Sequence, residues 1–318
     1  MKTIFKKFNI KILKLLYMVF TFFLVSQVGS HADKAGKPTA DLIKNELSKN
    51  GYTLVSNNSF AESEFGNIFL AKSINEKTVC LKCLFNNHFS KNEFEIFENE
   101  QIINCENIAQ TNSKIDIKSN SNDIIILVID FINGKNLMEK WTDPTTKKFS
   151  IFNKIEVLNM LKDISNALKL LHETGYIHKD IKPANIMFDY NKNNYKLIDF
   201  GSCSPINGKK DCRGCIAYRA PEFFLFMGKR VNDYNEKVDV WALGTIVCHL
   251  FKGALPYELS ASDGKGLLKI DLIIQNQNNF IKNLPDFGSD EISNVISKCI
   301  IFDPNQRISS KELYELLK

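Results

Sequence analysis

Arginine is scarce in this sequence of 318 residues, and acidic residues are absent from its first 30. The only arginines are Arg213, Arg219, Arg230 and Arg307. The first 30 residues hold five of the 41 basic residues and none of the 36 acidic ones, so the remainder carries equal numbers of each. A nucleic-acid-binding protein needs a basic surface on its folded body, and this neutral remainder therefore argues against a nucleic acid as partner.

The N-terminus has the residue order of a secretory signal. Lysines up to Lys14 precede an apolar run from Leu15 to Val25, and small or polar residues follow as far as Ser30. We therefore predict that residues 1–30 are a signal peptide or a signal anchor, and that the body enters the secretory pathway or is secreted. The protein would be membrane-bound only if residues 10–28 remain as an anchor. A mitochondrial transit peptide is the rival, but the segment lacks arginine.

Local patterns divide the rest of the chain into two lobes. Residues 31–49 are polar and predict a linker that leads into a first helix. Short apolar runs between turn residues then predict strands, up to about residue 132. Further on, apolar residues recur at helical spacing from Val157 to Leu171. The sequence predicts an α+β fold with a small β-rich N-lobe (about 50–132), a larger α-helical C-lobe (about 133–318) and a pocket between them.

One short run in the predicted helical lobe suits phosphoryl transfer. It contains Asp180 as a candidate base, Lys182 as a cation for a transferring phosphate and Asn185 as a metal ligand. Asp199 supplies a second carboxylate after a predicted strand. Phosphoryl transfer needs a base, a cation and metal-bound phosphates, and most of the rate comes from holding them in position.

These residues belong to motifs that resemble those of the eukaryotic protein kinase family, serine/threonine type. In chain order the similar stretches are VCLK (79–82), HKD with Asn185 (178–185), DFG (199–201), APE (220–222), DVWALG (239–244) and Arg307. A single three-letter match is weak, but six in the family's order and spacing are specific. The resemblance covers about residues 50–318 and implies a bilobal protein-kinase-like fold.

The resemblance also implies ATP and Mg²⁺ as cofactors and protein Ser/Thr hydroxyls as phosphate acceptors. Asp180 would be the catalytic base with Lys182 beside it, and Asn185 and Asp199 would hold the metal. Lys82 would pair with the nucleotide phosphates. The other nucleotide-binding positions that it implies are Gly66, Ile68, Cys80, Asp130, Ile132, Asn136 and Met187. Of these, Asp130 to Ile132 would form the hinge that faces adenine.

The helix glutamate that should pair with Lys82 is less clearly marked. Glu95, Glu98 and Glu100 all fall near the predicted helix. Glu98 places Ile102 one turn later and Cys105 two turns later, on one inward face. We therefore predict Glu98.

The sequence departs from the family pattern in its phosphate-covering loop. Ala61 and Ser63 stand where the resemblance implies glycine, and only Gly66 remains. Because glycine lets backbone amides approach a phosphate closely, weaker nucleotide binding is expected. A secreted pseudokinase that acts as a binding scaffold is therefore the alternative function.

Two further departures lie near the predicted base. Lys179 replaces an arginine that grips an activation-segment phosphate, and the segment from Ser202 to Cys215 has no threonine. We predict activity that depends weakly or not at all on phosphorylation of this segment. Cys215 replaces a threonine that contacts the catalytic aspartate, and a thiol donates a weaker hydrogen bond.

The eight cysteines include two CxxC pairs. Cys80 and Cys83 fall on a predicted strand, where an offset of three puts them on opposite faces, so a zinc site is disfavoured. In an oxidising compartment Cys212 could pair with Cys215 or Cys203. Free buried thiols are the alternative that we prefer.

Overall fold

The computed structural model describes most of the chain from residue 38 onward. The described residues are 38–62, 66–85, 88–118, 123–143, 145–146, 152–208, 210–230, 233–253, 255 and 270–318. The predicted signal or anchor over residues 1–30 and the loop residue Ser63 lie outside them. Within the described residues, no helix is both long enough and apolar enough to cross a membrane.

The N-terminal lobe consists of a sheet with helices packed against it. Its elements are α1 (Ala40–Lys49), β1 (Tyr52–Leu54), β2 (Ala61–Glu62), β3 (Gly66–Ser73), β4 (Thr78–Phe85), α2 (His88–Phe97), α3 (Glu100–Ile103), β5 (Thr111–Ile117) and β6 (Ile124–Asp130). In the part of the chain described, its strands form one antiparallel sheet of six in the order β1-β3-β4-β6-β5, with β2 paired to β3.

Strand β4 places Lys82 on the face of this sheet that looks into the cleft. Its neighbours Leu81 and Cys83 are buried in the lobe's core. Successive side chains alternate between the two faces of a strand, and the buried residues therefore fix which way Lys82 points. Ile68 of β3 and Leu127 of β6 lie opposite Lys82 in the sheet.

Helix α1 belongs to the lobe's core. Its Ile43 and Leu47 are buried and join the cluster that contains Phe69 and Ile126. These two residues are four apart and lie on one face of the helix. The sequence predicted a linker leading into a first helix for residues 31–49, and the structure shows that the helix begins at Ala40 and covers the sheet.

The C-terminal lobe is mainly helical. Its elements are β7 (Gly134–Asn136), α4 (Leu137–Trp141), α5 (Lys154–Glu173), β8 (Tyr176–Ile177), a 3₁₀ turn (Pro183–Asn185), β9 (Ile186–Asp189), β10 (Asn194–Leu197), β11 (Ser204–Pro205), a second 3₁₀ turn (Ile216–Tyr218), α6 (Pro221–Met227), α7 (Lys237–Lys252), α8 (Ile270–Lys282), α9 (Asp290–Cys299) and α10 (Ser310–Leu316). The predicted bilobal α+β fold is confirmed.

Helices α5 and α7 form the centre of the C-terminal lobe. A capping box of Asn153 and Glu156 begins α5, in which each side chain bonds the other residue's backbone N–H. The predicted helical face from Val157 to Leu171 is confirmed, and its apolar residues are buried. Helix α7 is buried on almost all sides, including Trp241. These two rigid helices support the loops that carry the polar residues of the cleft.

Candidate active site

Asp239, in the first turn of α7, shapes the loop that carries the predicted base. Its carboxylate accepts hydrogen bonds from the backbone N–H groups of His178 and Lys179, each at 2.8 Å, and His172 Nε2 lies 2.9 Å from it. Burial alone would raise the pKa of Asp239, but the bonds from His172 and the loop hold it below its ordinary value. Lys179 has a φ of 67°, a left-handed conformation that these bonds help to stabilise.

The Asp180 carboxylate is held by three donors. Its Oδ2 accepts hydrogen bonds from Lys182 Nζ at 2.6 Å and from Asn185 Nδ2 at 2.8 Å. Its Oδ1 accepts one from the backbone N–H of Cys215 at 2.6 Å. Burial would lower the pKa of Lys182, but the charge of Asp180 outweighs it and raises this pKa, so Lys182 stays cationic. The structure thus brings together Asp180, Lys182 and Asn185.

Cys215 reaches Asp180 through its main chain. The sequence assigned the contact at this position to a side chain, with a thiol as a weak donor. Any residue except proline supplies a backbone N–H, and therefore the cysteine does not weaken this bond. Burial raises the pKa of the Cys215 thiol, which keeps it protonated beside the base.

An ion cluster in which Lys82 and Glu93 are buried and Asp199 is partly exposed joins the two lobes. Lys82 Nζ lies 2.6 and 2.9 Å from the carboxylate oxygens of Glu93 in α2, and 2.6 Å from Asp199 Oδ1. Burial would lower the pKa of Lys82, but the two carboxylates raise it above its ordinary value. Burial would likewise raise the pKa of Asp199, and the charge and hydrogen bond of Lys82 lower it. Lys82 and Asp199 are therefore both charged.

The prediction that Glu98 pairs with Lys82 is wrong. Helix α2 ends at Phe97, and Glu98 beyond it is exposed, as are the alternatives Glu95 and Glu100. The reasoning relied on Ile102, but that residue lies in α3, which begins anew after an Asn99 cap. Helical spacing cannot be carried across such a break.

The sequence reasoning missed Glu93. This residue lies three and four positions before the buried Ile96 and Phe97, on the same inward face of α2. The helical spacing of Glu93, Ile96 and Phe97 can be seen in the sequence. A prediction that ended the helix at Phe97 would have chosen Glu93 as the partner of Lys82.

Three ring side chains connect α2 with the catalytic loop. The rings of Phe97 and Phe200 lie edge-to-face at 5.1 Å, and those of Phe200 and His178 at 5.2 Å. All three are buried. Burial lowers the pKa of His178, which favours the neutral ring at physiological pH. His178 therefore packs beside Phe200 and does not act as the base.

Asp199 and Asn185 are suited to hold Mg²⁺. Asn185 Nδ2 donates to Asp180, which leaves the amide oxygen for a cation. The backbone N–H of Ile198 donates to the Asn185 carbonyl at 3.0 Å and keeps the two residues side by side. Mg²⁺ prefers such oxygen ligands and commonly binds one or two of them together with substrate phosphates. Nowhere in the described ranges do three or more His, Cys, Asp or Glu side chains group as a metal site.

The predicted nucleotide-binding positions lie on five strands, β3, β4, β6, β7 and β9, except Ile132, which follows β6. Ile68 lies opposite Lys82, Cys80 opposite Ile129, and Met187 opposite Asn136. Burial raises the pKa of Cys80 to about 11, so this thiol is not a nucleophile at neutral pH. Ile68 and Cys80 share with Lys82 the face of the sheet that looks into the cleft.

Two side chains of the predicted hinge are engaged within the protein. The Asp130 carboxylate is occupied by Lys77 Nζ and Asn112 Nδ2, both at 2.6 Å. Ile132 is buried. Asn136 Oδ1 accepts a hydrogen bond from the backbone N–H of Glu139 and caps α4. The amide nitrogen of Asn136 is therefore the atom that could donate to a ribose.

Gly66 is required by the sheet itself. A Cβ at this position would overlap the backbone carbonyl of Cys83 on β4. The glycine predicted to contact a phosphate is therefore also a packing requirement.

The activation segment, which begins at Asp199, ends at Glu222, and Glu222 forms a buried ion pair with Arg307. Glu222 accepts hydrogen bonds from Arg307 Nη1 at 2.6 Å and Nη2 at 3.0 Å. Arg307 also donates to the carbonyls of Lys237 and Ile301, so that one side chain joins the segment to α7 and the C-terminal region.

The cysteines of the site are free thiols. This holds for all eight in the chain, each of which the structure describes. Cys203 is buried and Cys212 is exposed.

The sequence was compared with known proteins. A family model for the protein kinase domain matches residues 58–316. An Aurora kinase of Eremothecium gossypii is 36% identical over 169 residues, which cover 52% of this chain and 42% of that protein. The serine/threonine-protein kinase max-2 of Caenorhabditis elegans is 32% identical over 194 residues, 60% of this chain and 27% of that protein.

A third relative is the phosphorylase b kinase gamma catalytic chain, liver/testis isoform, of Bos taurus. It is 29% identical over 196 residues, 60% of this chain and 46% of that protein. The chain thus spans less than half the length of these three relatives. The family model nevertheless matches most of this chain. The match includes both lobes, the cluster around Lys82 and the cluster around Asp180. The chain belongs to the protein kinase family.

Proposed function

We propose that the protein transfers the γ-phosphate of ATP to serine or threonine hydroxyls of protein substrates. One observation carries the proposal: the Lys82–Glu93–Asp199 cluster and the Asp180–Lys182–Asn185 cluster are both assembled in the same cleft. The similarity to an Aurora kinase and to a serine/threonine-protein kinase supports this choice of reaction and acceptor.

In this reaction the chain's residues position the reactants and move one proton. Lys82 binds the phosphates, and Asn185 and Asp199 would hold Mg²⁺, which would neutralise phosphate charge. The substrate oxygen forms a bond to the γ-phosphorus, while the bond to the β–γ bridging oxygen breaks and ADP leaves. Asp180 takes the proton of the hydroxyl. Lys182, 2.6 Å from Asp180 Oδ2, stabilises charge on the transferring group.

A binding scaffold without activity is the second candidate. The phosphate-covering loop favours it, because Ala61 and Glu62 form only a short, exposed strand β2. The loop contributes affinity for phosphate, whereas the two clusters supply the positioning and charge of the reaction. The intact clusters therefore favour the active enzyme.

The test is phosphate transfer from labelled ATP to a mixed panel of proteins by the full chain. Asp180→Asn keeps the shape of the side chain but cannot take a proton. We expect transfer by the wild type and a loss of at least about 1000-fold in the variant, with ATP still raising the Tm of both proteins. A well-folded wild type that binds ATP and transfers nothing would overturn the proposal in favour of the scaffold.

We further propose that residues 1–30 direct the body into the secretory pathway. Their charge and apolar run are the support. Expression in eukaryotic cells, followed by fractionation and N-terminal sequencing, tests this. Protein that is protected from added protease inside vesicles, or found in the medium, is the expected result. An intact N-terminus on protein in the cytosolic fraction would contradict it.

A further inference from the structure

Asp211 of the activation segment forms an ion pair with Lys179 of the catalytic loop. The ammonium of Lys179 lies 2.7 Å from Asp211 Oδ1, and the Lys179 side chain is 0% exposed. A buried cation is costly unless an anion pairs with it. Because Lys179 directly precedes Asp180, the position of the Lys179–Asp211 pair affects the position of the predicted base.

A second cation holds the other oxygen of the same carboxylate. Arg213 Nε and Nη2 donate to Asp211 Oδ2 at 3.0 and 2.9 Å. Both donors converge on this one oxygen, and hydrogen bonds in which donor and acceptor are both charged are stronger than neutral ones. Burial alone would raise the pKa of Asp211, but the bonds from Arg213 and the charge of Lys179 lower it. The carboxylate is therefore an anion at neutral pH.

The pair extends to the metal-binding motif and to the start of α7. Arg213 Nη1 donates to the carbonyl of Gly201 at 2.9 Å. Tyr234 Oη donates to the backbone carbonyl of Asp211 at 2.7 Å. Asp211 thus lies where the catalytic loop, the DFG motif and the chain leading into α7 meet.

The serines of the activation segment are poorly placed for modification. Ser202 and Ser204 are the only hydroxyl side chains from Gly201 to Cys215, and both are buried. Another kinase cannot reach them in this conformation.

We propose that Asp211 is a positioning residue that orders the activation segment and the catalytic loop without phosphorylation, so that the transfer reaction proposed above is constitutively switched on. Its carboxylate occupies the place between a lysine and an arginine that a phosphate group would otherwise fill. Because the anion is part of the sequence, a phosphatase cannot remove it.

The experiment compares the full chain with Asp211→Asn, Asp211→Glu and the control Asp233→Asn. The control carboxylate is exposed and lies 3.9 Å from Lys210. We expect wild-type kcat to be unchanged by phosphatase, with mass spectrometry finding no phosphate on residues 199–222. We expect Asp211→Asn to lower kcat by about 10- to 100-fold at nearly unchanged KM for ATP, Asp211→Glu to recover most of it, and Asp233→Asn to match the wild type.

A loss of kcat that only follows the unfolded fraction, with no recovery in Asp211→Glu, would reduce Asp211 to a stabilising residue and overturn the inference. So would a wild type that loses its activity with phosphatase. Amide hydrogen exchange of residues 199–222 separates this inference from the proposed function, since it needs no activity. Faster exchange in Asp211→Asn than in Asp233→Asn supports the ordering role even in an inactive protein, and equal exchange overturns it.

Discussion

Lys82 and Glu93 form a buried ion pair in which both carboxylate oxygens contact one ammonium, at 2.6 and 2.9 Å. Asp199 contacts the same ammonium from the other side of the cleft at 2.6 Å. The pair therefore depends on the inward position of α2, and the contact between Phe97 and Phe200 helps to hold that position.

Replacing Glu93 should impair catalysis, whereas replacing Glu98 should not. In Glu93→Gln, Lys82 loses one of its two anions and is drawn towards Asp199. We expect kcat/KM for ATP to fall by about 10- to 100-fold. Glu98→Gln is the matched control, because it is a similar change in an exposed side chain at the end of the same helix. Equal losses in the two variants would contradict the assignment of Glu93.

Removing Arg307 should destabilise the protein strongly. Arg307→Leu leaves the Glu222 carboxylate buried without its cation, and such a loss typically costs about 3–5 kcal/mol. Urea denaturation measures the free energy of unfolding. The control Arg230→Ala breaks an exposed pair with Asp271, whose side chain is 81% exposed, and should destabilise the protein far less, because water and salt screen an exposed ion pair. Similar values for both variants would show that burial does not govern the Glu222 pair.

A methyl group at Gly214 should displace the catalytic loop. Gly214 has a φ of 100°, and a Cβ there would overlap the carbonyl oxygen of Lys179. Gly253 has a φ of 70° with nothing within 4 Å of the added atom. Both alanine variants should lose about 1 kcal/mol of stability through backbone strain. Only Gly214→Ala should also lose kcat, by about 10-fold or more; equal kcat in the two variants would contradict this.

Stability should fall on the acidic side of neutral pH through His249. Burial lowers its pKa to about 4 from 6.5, and its Nδ1 lies 3.0 Å from the Tyr218 hydroxyl. Below pH 6.5 the unfolded chain takes up a proton that the folded chain does not accept until about pH 4. The free energy of unfolding therefore decreases as the pH is lowered from 6.5 to about 4.

His249→Gln keeps a hydrogen-bonding side chain but does not titrate. Between pH 7 and pH 5 the wild type should lose about 2 kcal/mol more than this variant. Denaturation curves at the two pH values measure the difference. Parallel losses in both proteins would show that His249 titrates normally in the fold.

The sequence predicted those features that depend on local patterns. The spacing of apolar residues from Val157 to Leu171 marks one helix face, and short motifs located Asp180 and Asp199 without any structure. Glu93 was missed because the end of α2 at Phe97 depends on packing against Phe200 and on the new cap at Asn99, neither of which a helical pattern contains.

Contacts between distant loops could not be predicted from the sequence patterns. Asp211 lies 32 residues from Lys179, in a segment without periodicity, and no pattern pairs the two. The main-chain contact of Cys215 with Asp180 was likewise hidden, since every residue but proline has a backbone N–H. The signal function of residues 1–30 and independence from phosphatase remain predictions.

The position of Asp239 bears on when the active centre can form during translation. Its carboxylate sets the backbone of His178 and Lys179, which are synthesised 61 and 60 residues earlier. The His172 ring that contacts Asp239 also lies 2.8 Å from Ser310 Oγ in α10. A nascent chain therefore carries the base long before it carries the group that shapes its loop. The loop that carries the base can therefore take this shape only after Asp239 has been synthesised and α7 has begun to pack against it.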